Sequence, residues 1–477
     1  MAGGTWETQN KLQPGVYINF RSKPSSLVSI GERGIVAGPK ALSWGVPGGI
    51  TVIESTKDVF DKLGYDITSD EMLFLRQAFR GTNKTPGASK VLVYRLPTSG
   101  GTAATATIGS LTVTAKYIGG RGNDISIIIA PDLDSQISIS DGDDTTYAYT
   151  VFFVETVVDG LIQDTQVVGS FTDNETYQIG TIGDLVNNNW VAFSGSAGSA
   201  LTPTAGTTLT GGADGDAVAS GISQALDAIE PYRFDNFVYD GTDQVAKTSV
   251  ANFVKRLSYG EGRYCQATVA NYVAADHDTL ISVKNGFTLN TGETLTPEDA
   301  TWWVGGVEAG AAVNKSLTNK IHPDAVAAVP LYKGTQLDDA IREGSLTFFI
   351  EFDAVKVLTD INSYTSFSPD KGKEFSKNRV IRVLYTIAND VYRIFAQNYN
   401  GEVNNDDDGR NLYKAECIAE IMTLQGMSPP AIKDFAAEDI EVLPGNDVDA
   451  ILINVAIQPV DSVEKVYMTV VVKKEAV

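Results

Sequence analysis

Two histidines, two cysteines and a few aspartate-rich turns are the residues that could carry chemistry in this 477-residue chain. His277 and His322 stand in no HExxH helix and beside no cysteine pair, so zinc hydrolysis and a Ser-His-Asp triad both lack their groups at a workable spacing. Both histidines read as structural. Cys265 and Cys417 lie far apart and fit buried thiols in a reducing compartment better than a disulfide framework. The run Asn-Asn-Asp-Asp-Asp-Gly-Arg at 404–410 resembles the opening of a calcium loop, with Asp406, Asp408 and Gly409 in place. Its bidentate glutamate would fall at Ala415, and Glu416 comes one residue late; a solvated loop between two helices is the simpler reading. Asp141-Gly-Asp143-Asp144 reads as an acidic hairpin turn, and the tripeptide from Asn174 matters only in a secreted chain. No GxxxxGK[ST] loop occurs, Gly119-Gly-Arg-Gly-Asn lacks the strand-glycine-helix context of a dinucleotide site, and no acid pair for glycoside hydrolysis singles itself out. We therefore expect no catalytic residue, no cofactor, no metal and no enzymatic activity.

The elements that would hold such residues alternate between strand and helix. Residues 35–38 and 50–53 are short apolar pieces, Ser69 begins a helix closed by Arg80-Gly81, and 90–96 is a strand. From 97 to 213 threonine, serine, glycine and alanine dominate, and alternation at 111–117, 125–130, 147–158 and 166–171 predicts an inserted all-β domain between glycine-rich linkers. At 216 the period changes. Val218, Ile222, Ala225, Leu226 and Ile229 share a helical face, 237–240 is a strand, a second amphipathic helix runs through Val250 to Leu257, and 263–270 is another strand. Thr296 caps a helix through Trp302, Trp303 and Val307; 345–352 and 354–359 can pair; and Val380 to Phe395 keep a helical repeat. A helix at 411–425 precedes a short acidic helix at 434–439.

With 37 Lys+Arg against 59 Asp+Glu, the net charge of −22 disfavours nucleic acid and anionic lipid as partners. The opening residues carry neither a basic segment nor an apolar core, and no apolar run is long enough to span a bilayer. Neither secretion nor membrane insertion is expected, and assembly in the cytoplasm is.

Both ends of the chain form strands. Ile451, Ile453, Val455 and Ile457 alternate with Leu452, Asn454, Ala456 and Gln458, and after residues 459–463 the pattern returns as Val466, Met468, Val470 and Val472 against Lys465, Tyr467, Thr469 and Val471. Near the start, Val16, Ile18 and Phe20 alternate with Tyr17 and Asn19 behind the turn pair Pro14-Gly15. A terminal strand has two homes, a slot in its own sheet or the open edge of a neighbour's.

The run Asn-Val-Ala-Ile-Gln-Pro-Val-Asp-Ser-Val-Glu-Lys-Val-Tyr-Met-Thr-Val at 454–470, together with the opening Gly3-Gly4-Thr-Trp6-Glu and 14–20, resembles the contractile tail sheath family. That family forms the outer sleeve of myophage tails and R-type bacteriocins, and the likeness is to the branch from phages of Gram-positive hosts. The turn at Gly119 to Asp124 resembles one near the start of the family's variable insertion. The resemblance implies a mixed α+β, α/β multidomain chain with terminal strand arms: an N-terminal arm at 1–21, a discontinuous core at 22–97 and 214–458, an outer β domain at 98–213 and a C-terminal arm at 459–477. It implies a helical homopolymer around an inner tail tube, in a virion or phage-like particle, with baseplate and tail terminator proteins as further partners. Val16, Tyr17, Ile18, Phe20, Val466, Tyr467, Met468, Val470 and Val472 would pair between subunits. A helix at 431–439, with Lys433, Asp434, Glu438 and Asp439, would face the tube or serve as an ordinary surface helix. A secreted carbohydrate-active enzyme and a monomeric adhesin are the alternatives, the first lacking an acid pair and the second leaving the α/β core unexplained.

Overall fold

The computed structural model describes residues 2–4, 15–17, 33–133, 136–141, 144–149, 151–169 and 180–471. The chain divides into two compact units, one made of 33–385 with 460–477, the other of 1–32 with 386–459.

The first unit is organised by a seven-stranded sheet. Its strands are Ile35–Lys40 (β1), Ile50–Ile53 (β2), Lys90–Arg95 (β3), Asn236–Tyr239 (β4), Gln266–Ala270 (β5), Leu280–Val283 (β6) and Ser345–Leu346 (β7), in the order β7-β6-β5-β4-β1-β3-β2. All neighbours run parallel except the antiparallel edge strand β2. Buried on both faces, β4, β5 and β6 are predominantly apolar, as in parallel strands covered by helices, with Asn236, Gln266, Thr268 and Ser282 as their buried polar residues.

Two of the four helices that follow start at a side-chain cap, and the expected Ser69 makes no capping bond. Leu73–Phe79 (α1) follows a short 3-10 turn at Asp70–Met72, and Gly221–Ile229 (α2) buries the face through Ala225, Leu226 and Ile229. Gln244–Lys255 (α3) is capped by Asp243, whose carboxylate accepts the Val245 and Ala246 amides. Pro297–Gly310 (α4) carries a full capping box between Thr296 and Asp299. Residues 300–309 of α4 are all buried, so this helix has no solvent face. Glycines let it approach that closely: a Cβ on Gly306 would stand 2.1 Å from the Ala78 carbonyl oxygen of α1.

One side chain in the buried stretch of α4 is charged. Glu308 is buried with Asp360 and Arg382; the guanidinium bonds the Glu308 carboxylate and the Lys315 carbonyl, 2.5 Å away. Asn378 Nδ2 donates to Asp360 at 2.9 Å and to Glu308 at 3.3 Å. Burial first, and then the Asp360 charge, push the Glu308 carboxyl well above its ordinary range, with Arg382 opposing them.

Between 98 and 217 the chain leaves and returns side by side, Thr98 opposite Ala217 and Ser99 opposite Asp216. The strands in between are antiparallel. Leu161–Val168, Phe152–Val158, Ile125–Pro131 and Thr204–Thr208 form one sheet; Val191–Gly195, Leu111–Ala115 and Thr105–Ile108 form another; and Gln136–Asp141 pairs with Asp144–Tyr149. Their apolar side chains do not form a separate core. They belong to one cluster with Val36, Leu63 and Val93, and Trp44 lies 5.1 Å from Trp190 and 5.2 Å from Tyr117.

In the second unit the long helix Asn378–Asn398 (α5), from Thr386 onward, packs on Asp407–Gln425 (α6), with the Tyr413 hydroxyl bonded to the Val391 carbonyl and its ring 4.8 Å from Tyr399. The strands Ile440–Pro444 (β8) and Ile451–Val455 (β9) form an antiparallel hairpin. Ile440 is buried and alternates with exposed Glu441, the half-and-half pattern of a sheet with one covered face.

Candidate functional site

The residues that could do chemistry are used structurally. His322 is enclosed by Phe287, 4.4 Å away, and Trp303, 4.8 Å away; its Nδ1 accepts the Asp324 and Ala325 amides, so Nε2 carries the proton and donates to Gln77 Oε1 at 3.0 Å. Burial pushes the imidazole down to about 4, against the attraction of Asp324. The unfolded chain then binds a proton between about 4 and 6.5 that the folded chain refuses. Stability is therefore full above 6.5 and lost as the pH falls through 4, on the order of 3 kcal/mol for this one group. We expect His322→Gln to flatten the acid limb of urea unfolding midpoints; equal acid sensitivity in both proteins would refute it. His277 Nδ1 lies 2.9 Å from buried Asp278. Burial raises the Cys265 and Cys417 thiols to about 12, which leaves them unreactive.

Asp406 is a helix cap. Its carboxylate accepts the Gly409 amide at 2.9 Å, Asp407 and Asp408 occupy the first turn, and α6 therefore begins four residues before the expected 411. Among the described residues no group of three or more His, Cys, Asp or Glu is arranged to hold a metal ion, and no helix is long and apolar enough to cross a membrane. Asp141 and Asp144 face each other at a hairpin end, and Gly120–Asp124 is a 3-10 turn.

What stands out is at the termini. Val16 and Tyr17 lie in Gly15–Tyr17, paired in parallel with Ala2–Gly4; Ile18, Phe20 and Val472 lie outside the described residues. The expected second C-terminal strand is absent: residues 460–471 join no ladder. Val466 is 83% exposed, Tyr467 90%, Met468 80% and Val470 71%, so a segment with strand periodicity holds its apolar side chains in water. Periodicity encodes the capacity to pair, and within this one chain the described partner is missing.

A vacancy of the opposite kind lies in the second unit. β8 and β9 pair only with each other among the described strands, so the hairpin has two open edges. A two-stranded sheet is marginal alone, and this one leans on α6 while leaving Leu443 and Leu452 exposed. The alternation of Ile440, Glu441, Val442 and Leu443 announces β8, but the acids at 438, 439 and 441 draw the eye to a helix.

The helix expected over 431–439 is instead a two-residue strand, Ile432–Lys433, paired with Gln458–Pro459, and a 3-10 turn at Ala437–Asp439. Buried Ala431, Ile432 and Phe435 pin the segment, Gln425 takes both the amide and the carbonyl of Phe435, and Asp434 adopts a left-handed φ of 56° that no helix continues. Lys433, Asp434 and Glu438 are exposed and Asp439 half-buried.

The sequence also hides a contact at the root of the C-terminal segment. Glu464 accepts Thr318 Oγ1 at 2.8 Å and pairs with Lys377 Nζ at 2.5 Å. Nothing in the local pattern of these three distant residues announces it.

Three family models match the chain: the tail sheath protein Gp18 domain III N-terminal region over residues 33–96, the phage tail sheath protein central domain over 215–363 and the phage tail sheath C-terminal domain over 370–473. The phage-like element PBSX protein XkdK of Bacillus subtilis (strain 168) is 34% identical over 489 residues, covering 98% of this chain and 99% of that one. The crystal structure of the sheath tail protein from Desulfitobacterium hafniense superposes with a TM-score of 0.79 at 42% identity, covering 95% of this chain and 99% of that one. The helical sheath of the anti-feeding prophage in its contracted state shares the fold alone, with a TM-score of 0.55 at 11% identity, covering 97% of this chain and 99% of that one.

Proposed function

This chain belongs to the phage tail sheath family, and from that premise we propose that it polymerises as a contractile sleeve around an inner tube by exchanging its terminal segments between subunits. As a member of that family it is a structural subunit of a phage or phage-like particle. These relatives give no support to a carbohydrate-active enzyme or an adhesin.

The observation that carries the proposal is the coexistence of a ladderless, exposed apolar segment at 465–471 with a hairpin, β8–β9, that has two open edges. A donor without an acceptor and an acceptor without a donor, in one chain, are satisfied between copies. Each edge takes one strand: the C-terminal segment, through Val466, Tyr467, Met468, Val470 and Val472, from one neighbour, and the N-terminal segment, through Val16, Tyr17, Ile18 and Phe20, from another. Such heterologous contacts do not close on themselves within a pair and so propagate as a helix. An extended strand advances about 3.3 Å per residue, so an arm of a dozen residues reaches roughly 40 Å.

In this reading contraction requires no nucleotide. The extended lattice is a kinetic trap that relaxes to one with more buried contact between subunits, while the exchanged strands stay paired and work is done on the tube. The 98–213 insertion faces outward while sharing its core with the scaffold; the family models, matching up to 96 and again from 215, support an insertion between two parts of the core. Lys433, Asp434, Glu438 and Asp439 form the tube-facing contact, and baseplate and terminator proteins bound the polymer at its ends.

Negative-stain electron microscopy of the purified full chain tests the reading. Hollow tubes with a helical surface lattice are expected, and a uniform monomer at high concentration would overturn self-assembly.

A further inference from the structure

Strand exchange, the reading on which this inference rests, needs the donor segment to leave the body at a fixed place. We propose that Lys377, Thr318 and Glu464 are positioning residues: they clamp the root of the C-terminal segment so that residues from 465 onward are presented to the sheet edge of a second copy of this chain.

Both Glu464 oxygens are engaged. Oε2 meets the Lys377 ammonium at 2.5 Å, while Oε1 takes the Thr318 hydroxyl at 2.8 Å and the Ser462 hydroxyl at 3.4 Å. The Lys377 and Glu464 side chains are each only 16% exposed, so this pair is less screened than a surface ion pair and its charge-assisted bonds are correspondingly stronger. The base of the clamp is rigid as well. Thr318 Oγ1 accepts the Asp360 amide at 2.9 Å, Asp360 Oδ2 accepts the Leu317 amide at 2.9 Å, and Asp360 Oδ1 accepts Asn378 Nδ2 at 2.9 Å. Thr318 and Lys377 therefore each sit beside a residue bonded to the same buried aspartate, so hydroxyl and ammonium are held in register before the segment arrives.

The segment beyond the clamp contrasts with it. Val466, Tyr467 and Met468 are exposed, and residues 465–471 belong to no strand. The fixed point before the clamp is Pro459, in register with Ile432. With the clamp in place, one residue, Lys465, separates the anchor from the first donor side chain, Val466. Without it the slack runs from 460 to 465. A longer slack tether lowers the effective concentration of the donor at its acceptor, and each extra residue must be ordered on pairing. The clamp thus works on assembly, while the fold it is built on stays as it is.

The test uses the full-length chain with Glu464→Gln, Lys377→Met, Lys377→Arg and a deletion of 463–477, following thermal unfolding and sheath assembly by sedimentation and electron microscopy. For Glu464→Gln and Lys377→Met we expect an unfolding temperature lowered only slightly and a protein concentration for assembly raised on the order of tenfold, with Lys377→Arg restoring most of it. Clamp variants that assemble as the parent does, while the deletion fails to assemble, would overturn the clamp and leave strand exchange standing. A deletion that itself assembles would overturn strand exchange and the clamp together. Loss of folding in both Glu464→Gln and Lys377→Met would assign the three residues to stability and overturn a positioning role.

Discussion

Removal of residues 463–477 is expected to leave a folded chain that no longer forms sheaths. The described part of this segment past the clamp contributes no ladder and keeps Val466, Tyr467, Met468 and Val470 in water, so its loss takes almost nothing from the hydrophobic cores. The folded state gives up the Glu464 contacts with Thr318 and Lys377, about 1–2 kcal/mol between them. Assembly gives up far more. Every copy would lose a donor strand, and each β8–β9 hairpin would keep an unpaired edge, so the defect repeats at every lattice point. Circular dichroism should show a near-parental melting curve, and microscopy should show no tubes at concentrations where the full chain forms them. Removal of residues 1–20 is expected to have the same outcome through the opposite edge. Tubes of ordinary length from either deletion would refute strand exchange.

The second large effect lies in the fold itself. Arg382→Leu should destabilise the chain by about 3–5 kcal/mol, because it strands Glu308 and Asp360 in the interior without their cation. Leucine fills much of the vacated volume, so the loss is electrostatic more than steric. Its sign can be checked with pH. Glu308 already has a raised pKa from burial and from Asp360, and losing the guanidinium raises it further. The folded variant then holds a proton, over the range above the ordinary carboxylate pKa, that the unfolded chain has released, so its stability falls as pH rises. Urea unfolding should show a deficit that shrinks toward acid pH. A deficit below about 1 kcal/mol that is flat in pH would mean that the cluster is hydrated and not the sealed network described.

Local signals carried much of the fold. The Thr296-Pro-Glu-Asp299 run shows its capping box, Val380 to Phe395 shows its helical repeat, and the switch of period after 216 shows the return to alternating strand and helix, because each is written within one turn or one strand. Properties that depend on distant partners were not legible. Val466 to Val470 alternate like any strand, yet pairing is a relation between two segments, and the alternation is silent on whether the second segment belongs to the same chain. Composition marked 97–213 as different, but its apolar residues share a core with Val36 and Val93 through Trp44 and Trp190, a contact that no window of sequence contains. The same holds for the clamp, whose three residues become neighbours only once Asp360 has fixed Leu317 and Asn378.

The antiparallel bridge that sets Thr98 opposite Ala217 and Ser99 opposite Asp216 makes the position a natural splice port. Any foreign domain whose own ends lie side by side can be grafted there without stretching the seven-stranded scaffold. The redesign it demands lies along the shared core: Trp44 and Phe60 lose Trp190, the Gly64 carbonyl and the Tyr65 ring lose Arg121, and buried Arg95 loses the Ile118 carbonyl. A particle built from such chimeras would display a cargo on every subunit, at a spacing dictated by its own lattice.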